Sequence, residues 1–241
     1  MGGRGQSTRR TVTPAAPAPA TPAENNVTEL AKNPQDPLTY GDLYSETQNI
    51  INPWYGYEEQ YRINCQTCVL AAELNARGIY VEATGNANDE RGDSKFRLNK
   101  ESWFNLFPDS VRQEMYDKLI NNYYGDIWGG NKVAYTKFQK AILAEMSEGQ
   151  RGLIRVGNIM HGHVVNFEVK NKKVVVFDPQ SGSQMDLKTF LYGGVRDIYR
   201  YNGKARAQAT RWAIASFARI DNVPIITDSE LARQYFEPRI K

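Results

Sequence analysis

Four side chains limit the cysteine and histidine chemistry of this sequence. Its 241 residues include two cysteines and two histidines, and both pairs are close in sequence: Cys65 with Cys68, and His161 with His163. A cysteine beside a histidine can supply a nucleophile with its proton carrier, and the same four side chains can offer two sulfur and two nitrogen ligands to a metal ion. A CxxC pair spans too little chain to staple a fold, so it does not argue for an oxidising compartment.

Cys65 is expected at the first position of a helix over residues 65–77. Asn64 is a favoured N-cap residue, and Gly78 follows the last expected helical residue as a C-terminal glycine should. At such a position the sulfur lies near backbone N–H groups that have no helical acceptor and near the positive end of the helix dipole, and both favour the thiolate. Cys68 lies one turn later, on an apolar stripe of the helix, and is expected to be buried.

His163 is predicted to lie on a β-hairpin with Asp178. The runs 163–169 and 173–177 are rich in Val and Phe, and the Asn-Lys pair between them indicates a tight turn. Pairing the residues that flank this turn puts Gln180 opposite His163. The same register brings His163 and Asp178 to one face of the sheet as diagonal neighbours, within reach of a hydrogen bond.

These positions together suit acyl-transfer chemistry. The imidazole takes or holds the thiol proton, the carboxylate fixes the imidazole tautomer, and the helix N–H groups can stabilise an oxyanion. The order Cys65, then His163 and Asp178 on a following sheet, is the papain-like order. Helical patterns come first in the chain and strand patterns later, so we expect an α+β fold in which a helical N-terminal half, with the nucleophile at a helix N-terminus, packs on a short antiparallel sheet that carries His and Asp.

Three separated motifs resemble the papain-fold toxin family of glutamine-deamidase-like domains. They are NPWYGYEEQYRINCQTCVLAAELNARGIYVEA (52–83), MHGHVVNFEV (160–169) and VVVFDPQSG (174–182). In order they give an Asn-Pro, an Asn-Cys-x-x-Cys helix that ends in Arg-Gly, a Gly-His strand and an Asp-Pro-Gln strand end. The resemblance covers about residues 50–200.

The resemblance implies Cys65 as the nucleophile, His163 as the base and acid, and Asp178 as the orienting residue. It also implies that the substrate is an amide, the side chain of a glutamine in a protein, hydrolysed through a thioester with loss of ammonia. Relatives of this kind occur as secreted effectors, as polymorphic-toxin tips and attached to phage head proteins. From their own positions, Asn64 and Gln180 are candidates for the oxyanion site or for supporting the triad, and no cofactor or metal is expected.

Other interpretations of the same residues stay open. Zinc could be held by Cys65, Cys68, His161 and His163, although HxH is a less usual spacing than about three to five residues. A redox role for the CxxC pair would need a thioredoxin-like βαβ pattern, which is not visible. Deamidase, protease and transglutaminase share this site chemistry, and they differ in which amide enters and in whether water or an amine resolves the thioester. The chain could also be a structural or cargo component of a virion, or of another large assembly, that carries a papain-like domain.

Patterns outside the motifs predict further elements. Helices are expected at about 39–51, 109–120 and 132–148, and strands at 79–83, 152–156 and 195–201. Residues 205–220 are interpreted as a basic amphipathic helix above a core stripe. The aromatic residues Trp54, Tyr55 and Tyr57 precede the cysteine and are interpreted as core or rim packing, or as a wall of the cleft.

Composition separates an arm from the globular part. Residues 1–37 contain six of the eleven prolines, so we expect an extended tail or a docking arm for an immunity protein or a particle partner. A papain-like domain is expected over 38–220, with 84–150 as a helical insertion, followed by a C-terminal extension over 221–241.

Charge and hydropathy exclude several classes of protein. The net charge is +3 and no clustered basic face is visible, which argues against a nucleic-acid partner. No apolar run approaches the roughly 18–20 residues of a membrane span, and no signal peptide is recognisable. We therefore expect no membrane partner. With no signal peptide, the resemblance implies delivery either by a non-classical route into a target cell or as part of a phage particle.

Overall fold

The computed structural model describes residues 39–44, 50–85, 102–126, 133–157, 162–193, 195–201, 204–210 and 212–238. Its helices are α1 (Tyr40–Tyr44), α2 (Cys65–Ala76), α3 (Asp109–Tyr116), α4 (Tyr135–Glu145), α5 (Leu187–Gly193) and α6 (Glu230–Tyr235). Its strands are β1 (Val81–Ala83), β2 (Tyr124–Gly125), β3 (Arg151–Gly157), β4 (Gly162–Lys170), β5 (Lys173–Asp178), β6 (Ser183–Asp186), β7 (Val195–Tyr201), β8 (Lys204–Thr210), β9 (Ile214–Arg219) and β10 (Phe236–Pro238). The predicted arm over 1–37 and His161 lie outside the described residues.

Six strands form the central sheet in the order β2-β9-β3-β4-β5-β6, and each neighbouring pair is antiparallel. Two further antiparallel pairs, β1–β10 and β7–β8, lie outside this sheet. The combination of helices with a mainly antiparallel sheet confirms the α+β class predicted from the sequence. No helix in the described part of the chain is both long and apolar enough to cross a membrane.

The β4–β5 hairpin has the predicted register. Its pairs run from Lys170↔Lys173 to Asn166↔Phe177. The turn residues Asn171 and Lys172 have φ angles of 53° and 58°. Two consecutive positive φ angles are typical of the type I′ turn, whose twist matches that of the flanking strands. This short turn fixes which residues of β4 and β5 face each other.

Apolar clusters cover both faces of the central sheet. One cluster includes α1, α2 and the aromatic segment Ser102–Leu106, and the other includes α4 and α5. Helix α2 is buried on every side from Thr67 to Ala76, because it contacts α1, β1 and β4. Burial therefore extends beyond the apolar stripe seen in the sequence, and polar side chains in the interior of the helix need internal partners.

Glu73 of α2 is at the centre of a buried charge network. Its carboxylate accepts hydrogen bonds from the Tyr40 hydroxyl at 2.6 Å, from Arg77 Nε at 2.8 Å, and from Arg151 Nε and Nη2 at 3.0 and 2.8 Å. The two remaining nitrogens of Arg77 donate to the backbone carbonyls of Val223 and Ile220. The network ties α2 to β3 and to the chain that follows β9.

The amphipathic helix predicted over 205–220 is wrong. This segment contains β8 and β9, and β9 pairs with β3 along six residues, from Gly152↔Arg219 to Gly157↔Ile214. Alanine and arginine favour helix in isolation, but alternate residues of β9 enter the two apolar clusters: Ala215 and Phe217 on one face, Ala218 on the other. Burial on both faces of a central strand outweighs the local preference.

Other predicted elements agree with the structure to different degrees. The helices predicted at 109–120 and 132–148 are present as α3, which continues into a π-helical turn, and α4. The predicted helix over 39–51 is present in part as α1 (Tyr40–Tyr44); residues 45–49 lie outside the described residues, and residues 50–51 are not helical. The strand predicted at 195–201 is present as β7 and pairs with β8 in a separate two-stranded sheet.

The domain boundaries stay a prediction. Within the span 84–150, residues 86–101 and 127–132 lie outside the described residues. The described part of 221–241 packs against the rest of the chain, because Ala232 and Tyr235 are buried in the same cluster as α2 and because β10 pairs with β1.

Candidate active site

Cys65 is the first residue of α2 and is partly buried. The carbonyl oxygen of Asn64 accepts the N–H groups of Thr67 and Cys68, both at 3.1 Å. The backbone N–H groups of the first helical turn point towards the N-terminal end of the helix, which is also the positive end of the helix dipole. This local structure places Cys65 at the positive end of the helix dipole.

His163 lies one residue after the start of β4 and connects Cys65 with Asp178. Its Nε2 atom lies 3.1 Å from Oδ2 of Asp178, the last residue of β5. Cys65 lies close enough to the imidazole to be one of the groups that raise its pKa. The Phe190 ring of α5 lies beside the imidazole, with the ring centroids 6.5 Å apart. The start of α2, the start of β4 and the end of β5 therefore bring a thiol, an imidazole and a carboxylate into one region.

The charges in this cluster support one another. Burial alone would lower the pKa of His163, but the Asp178 carboxylate and Cys65 raise it from 6.5 to about 10. Burial would raise the pKa of Asp178, yet His163, the Ser181 side chain and the Gln180 N–H hold it below its ordinary value. At neutral pH the imidazole is therefore cationic and Asp178 is a carboxylate.

Cys68 lies in a different environment from Cys65. It is fully buried, and burial, with the nearby charges of Cys65 and Asp178, raises the pKa of its thiol well above the ordinary value. A buried thiol of this kind is unreactive. This agrees with the expectation that Cys68 is a packed residue of the helix.

The side chains of Asn64 and Gln180 contact each other, although not in the ways that the sequence predicts. Asn64 occupies the N-cap position, but its side chain makes no capping hydrogen bond; its Nδ2 donates to the Thr84 carbonyl at 2.9 Å. Gln180 does not pair opposite His163, because β5 ends at Asp178 and Pro179, which has no N–H, begins a turn. From that turn Gln180 Nε2 approaches Asn64 Oδ1 at 3.4 Å.

Asn52 is the residue of this region that sequence reasoning missed. It is fully buried, and its Nδ2 lies 2.8 Å from the Tyr61 carbonyl, 2.8 Å from the Gln180 carbonyl and 3.2 Å from Asn64 Oδ1. The available signal was the Asn-Pro at the start of the first motif. Composition and periodicity could not have shown that this side chain reaches a turn near residue 180.

The segment between Asn52 and Cys65 exposes aromatic side chains. Trp54, Tyr55 and Tyr57 are 49%, 37% and 81% exposed, so the interpretation as core packing is wrong. Arg62 donates to the carbonyls of Tyr55 and Gly56 and holds the segment in a compact turn. The aromatic rings form part of the surface on the chain that leads into α2.

Nothing in the described residues supports the zinc interpretation. No group of three or more His, Cys, Asp or Glu side chains in the described ranges is arranged to hold a metal ion. The proposed zinc set also needs His161, which lies outside those ranges. The absence of a metal site in the whole chain stays a prediction.

Comparison with known proteins identifies the family. A family model described as papain fold toxin 1, glutamine deamidase, matches residues 63–183, which is half of the chain and includes Cys65, His163 and Asp178. The match confirms the resemblance seen in the three motifs, and it implies a hydrolase. A search of curated proteins finds no match.

Proposed function

We propose that this chain, which belongs to the papain fold toxin 1 family of glutamine deamidases, hydrolyses the side-chain amide of a glutamine in a protein substrate. In this proposal Cys65 is the nucleophile, His163 carries the proton and Asp178 orients the imidazole. The observation that carries the proposal is the His163–Asp178 pair, with 3.1 Å between Nε2 and Oδ2, near Cys65 at the first position of α2.

The first half of the reaction forms a thioester. The Cys65 thiolate adds to the carboxamide carbon of the glutamine, and the N–H groups at the start of α2 are suited to bind the resulting oxyanion. His163, cationic at neutral pH, then gives its proton to the departing nitrogen. The carbon–nitrogen bond breaks, ammonia leaves, and the glutamyl group remains on the sulfur.

The second half releases the product. Neutral His163 takes a proton from a water molecule, whose oxygen adds to the thioester carbon. The carbon–sulfur bond breaks, which yields glutamate and restores the thiolate beside the imidazolium. Asp178 stays ionised throughout, because its part is to hold the imidazole in one tautomer and one orientation.

The exposed aromatic segment favours a protein over a free amino acid as substrate. Trp54 and Tyr57 contact each other edge to face, with centroids 6.4 Å apart, and both remain open to solvent. Large aromatic side chains are the residues most often found at the centre of protein interfaces. Action as a toxin follows the family description; carriage by a phage particle, and attachment of an immunity protein or a particle through 1–37, stay proposals from the sequence.

The test compares wild-type protein with Cys65→Ala, and with Cys68→Ala as the matched control. The probes are the dipeptide benzyloxycarbonyl-Gln-Gly and the proteins of a cell lysate, followed by released ammonia and by mass spectrometry. We expect ammonia and a gain of about one mass unit at particular glutamines, which is the change from amide to acid. Cys65→Ala should abolish both signals and Cys68→Ala should retain them. New peptide termini without deamidated glutamine would favour a protease and overturn the proposal.

A further inference from the structure

The two segments that carry the ends of the triad share a buried side chain. Cys65 begins α2, and Asp178 ends β5. Asn52 lies on neither element, in the chain just before Pro53, and contacts residues next to both. Its distances of 3.2 Å to Asn64 and 2.8 Å to the Gln180 carbonyl connect the start of the helix to the turn after the strand.

The contact with Asn64 is reciprocal. Asn52 Nδ2 lies 3.2 Å from Asn64 Oδ1, and Asn64 Nδ2 lies 3.2 Å from Asn52 Oδ1, so the two amides face each other as a pair. The backbone carbonyl of Asn64 accepts the first helical N–H groups of α2. Fixing Asn64 therefore fixes the turn from which the Cys65 sulfur projects.

The contact with Gln180 reaches the carboxylate. Asn52 Nδ2 donates to the Gln180 carbonyl, while the N–H of Gln180 donates to Asp178 Oδ1 at 3.1 Å. The other carboxylate oxygen, Oδ2, contacts His163. A shift of the Gln180 peptide would therefore rotate the carboxylate and change how it holds the imidazole.

We propose that Asn52 is a positioning residue, which sets the separation between Cys65 and Asp178 by holding Asn64 and Gln180 from one buried amide. The role rests on the proposed function only in that these residues form the reactive site. Asn52 acts through its neighbours and does not touch the substrate. Displacement of a reacting group by about 1 Å can cost a hundredfold in rate, so a residue that spans the site has a large influence on its reactivity.

The test uses two variants. Asn52→Ala removes the donor to the Tyr61 and Gln180 carbonyls. Asn52→Ser keeps a smaller donor and is expected to change both readouts in the same direction but less strongly. Asn75→Ala is the matched control. Asn75 of α2 is also fully buried. Its Nδ2 also donates to two carbonyls, of Ala71 at 2.8 Å and of Val81 at 2.7 Å, and neither belongs to the triad. The readouts are the rate of Cys65 alkylation by iodoacetamide against pH and the NMR titration of His163, with melting curves to establish that each variant is folded.

We expect Asn52→Ala to slow alkylation at neutral pH by about tenfold to a hundredfold and to move the His163 titration towards that of a free histidine. Asn75→Ala should lower the melting temperature while leaving both readouts at their wild-type values. If Asn52→Ala does not fold, Asn52→Ser decides the question by the same readouts. Unchanged alkylation and titration in folded Asn52 variants, or equal changes in Asn75→Ala, would overturn the proposal. Neither readout requires glutamine hydrolysis, so failure of the proposed function would be seen separately, in the deamidation assay.

Discussion

Helix α2 contributes to two clusters of ionisable groups, one in its interior and one at its start. They differ in how far their side chains are exposed to solvent. In its interior, Glu73 and Arg77 have fully buried side chains, and Arg151 is 2% exposed. At its start, the His163 and Asp178 side chains are 13% and 15% exposed. The interior cluster is closed to solvent, whereas the cluster at the helix start is open on the side of Cys65.

The closed cluster is suited to stability and unsuited to chemistry. The carboxylate of Glu73 accepts four hydrogen bonds from three residues, and these bonds lower its pKa although burial would raise it. A buried charge with all its partners is tolerated, while removal of one partner typically costs about 3–5 kcal/mol. No atom of Glu73 is left to act on a substrate.

The open cluster has the opposite properties. Its imidazole is held by the Asp178 carboxylate, and Cys65 lies close enough to raise the pKa of His163. The sulfur lies at a helix end that attracts negative charge. The comparison teaches that charge and burial alone do not mark a site on this helix. A reactive group must also retain an exposed side, as Cys65 does.

The largest expected effect is on reactivity at the helix start. His163→Ala should lower glutamine hydrolysis by about 10⁴-fold to 10⁶-fold, as loss of a triad member does elsewhere, because the thiolate loses its cationic partner. Iodoacetamide should label Cys65 before Cys68 in the wild type, and His163→Ala should slow the labelling of Cys65 sharply. The free energy of unfolding should also fall, by about 1–3 kcal/mol, because the mostly buried Asp178 carboxylate loses its hydrogen-bond partner. Equal and slow labelling of both cysteines, unaffected by the substitution, would mean that the cluster is a scaffold.

The next effect is on stability in the helix interior. Glu73→Gln keeps the shape but leaves Arg77 and Arg151 without their anion, so the free energy of unfolding should fall by about 3–5 kcal/mol in urea titrations. Glu114→Gln is the control, because the exposed Glu114–Lys118 pair should contribute less than about 1 kcal/mol. The folded fraction of Glu73→Gln should still alkylate at Cys65. A loss of reactivity without a loss of stability would contradict the division between the two clusters.

Features set by local sequence were predictable, and those set by distant contacts were not. The β4–β5 register follows from a two-residue turn between alternating strands, and the end of α2 follows from Gly78, whose φ is +80°. Strand β9 was predicted as a helix because its place between β2 and β3 depends on residues far away in the chain. The network of Glu73 and the amide cluster of Asn52 were missed for the same reason.

An effect of intermediate size is expected on the pH dependence of stability, because His163 titrates at different pH values in the folded and unfolded chain. Its pKa of about 10 lies above the ordinary 6.5, so its contribution to stability is complete below about pH 6.5 and is lost as the pH rises through 10. The lowered pKa of Asp178 gives a contribution that is present above about pH 4 and is lost as the pH falls.

NMR of the imidazole protons measures this directly, because the chain has two histidines and His161→Ala assigns them. Asp178→Asn should bring the titration of His163 down towards 6.5. The difference in melting temperature between wild type and Asp178→Asn should be largest between about pH 4 and 6.5 and should shrink towards pH 10. A wild-type midpoint near 6.5 would contradict the charged pair.

The smallest expected effect concerns the exposed aromatic segment that precedes Cys65 in the chain. Trp54 and Tyr57 are held by the backbone turn that Arg62 braces, so a bound protein would order few additional side chains. In the double variant Trp54→Ala/Tyr57→Ala we expect KM for a protein substrate to rise about tenfold, because each truncated interface aromatic commonly costs about 1 kcal/mol or more. The kcat, the turnover of benzyloxycarbonyl-Gln-Gly and the melting temperature should stay unchanged, since both rings are exposed.

Tyr123→Ala is the control, because Tyr123 is 47% exposed on another part of the surface. If Tyr123→Ala raises KM equally, or if the double variant slows the dipeptide as well, the segment supports the site itself and does not recognise the protein around the glutamine.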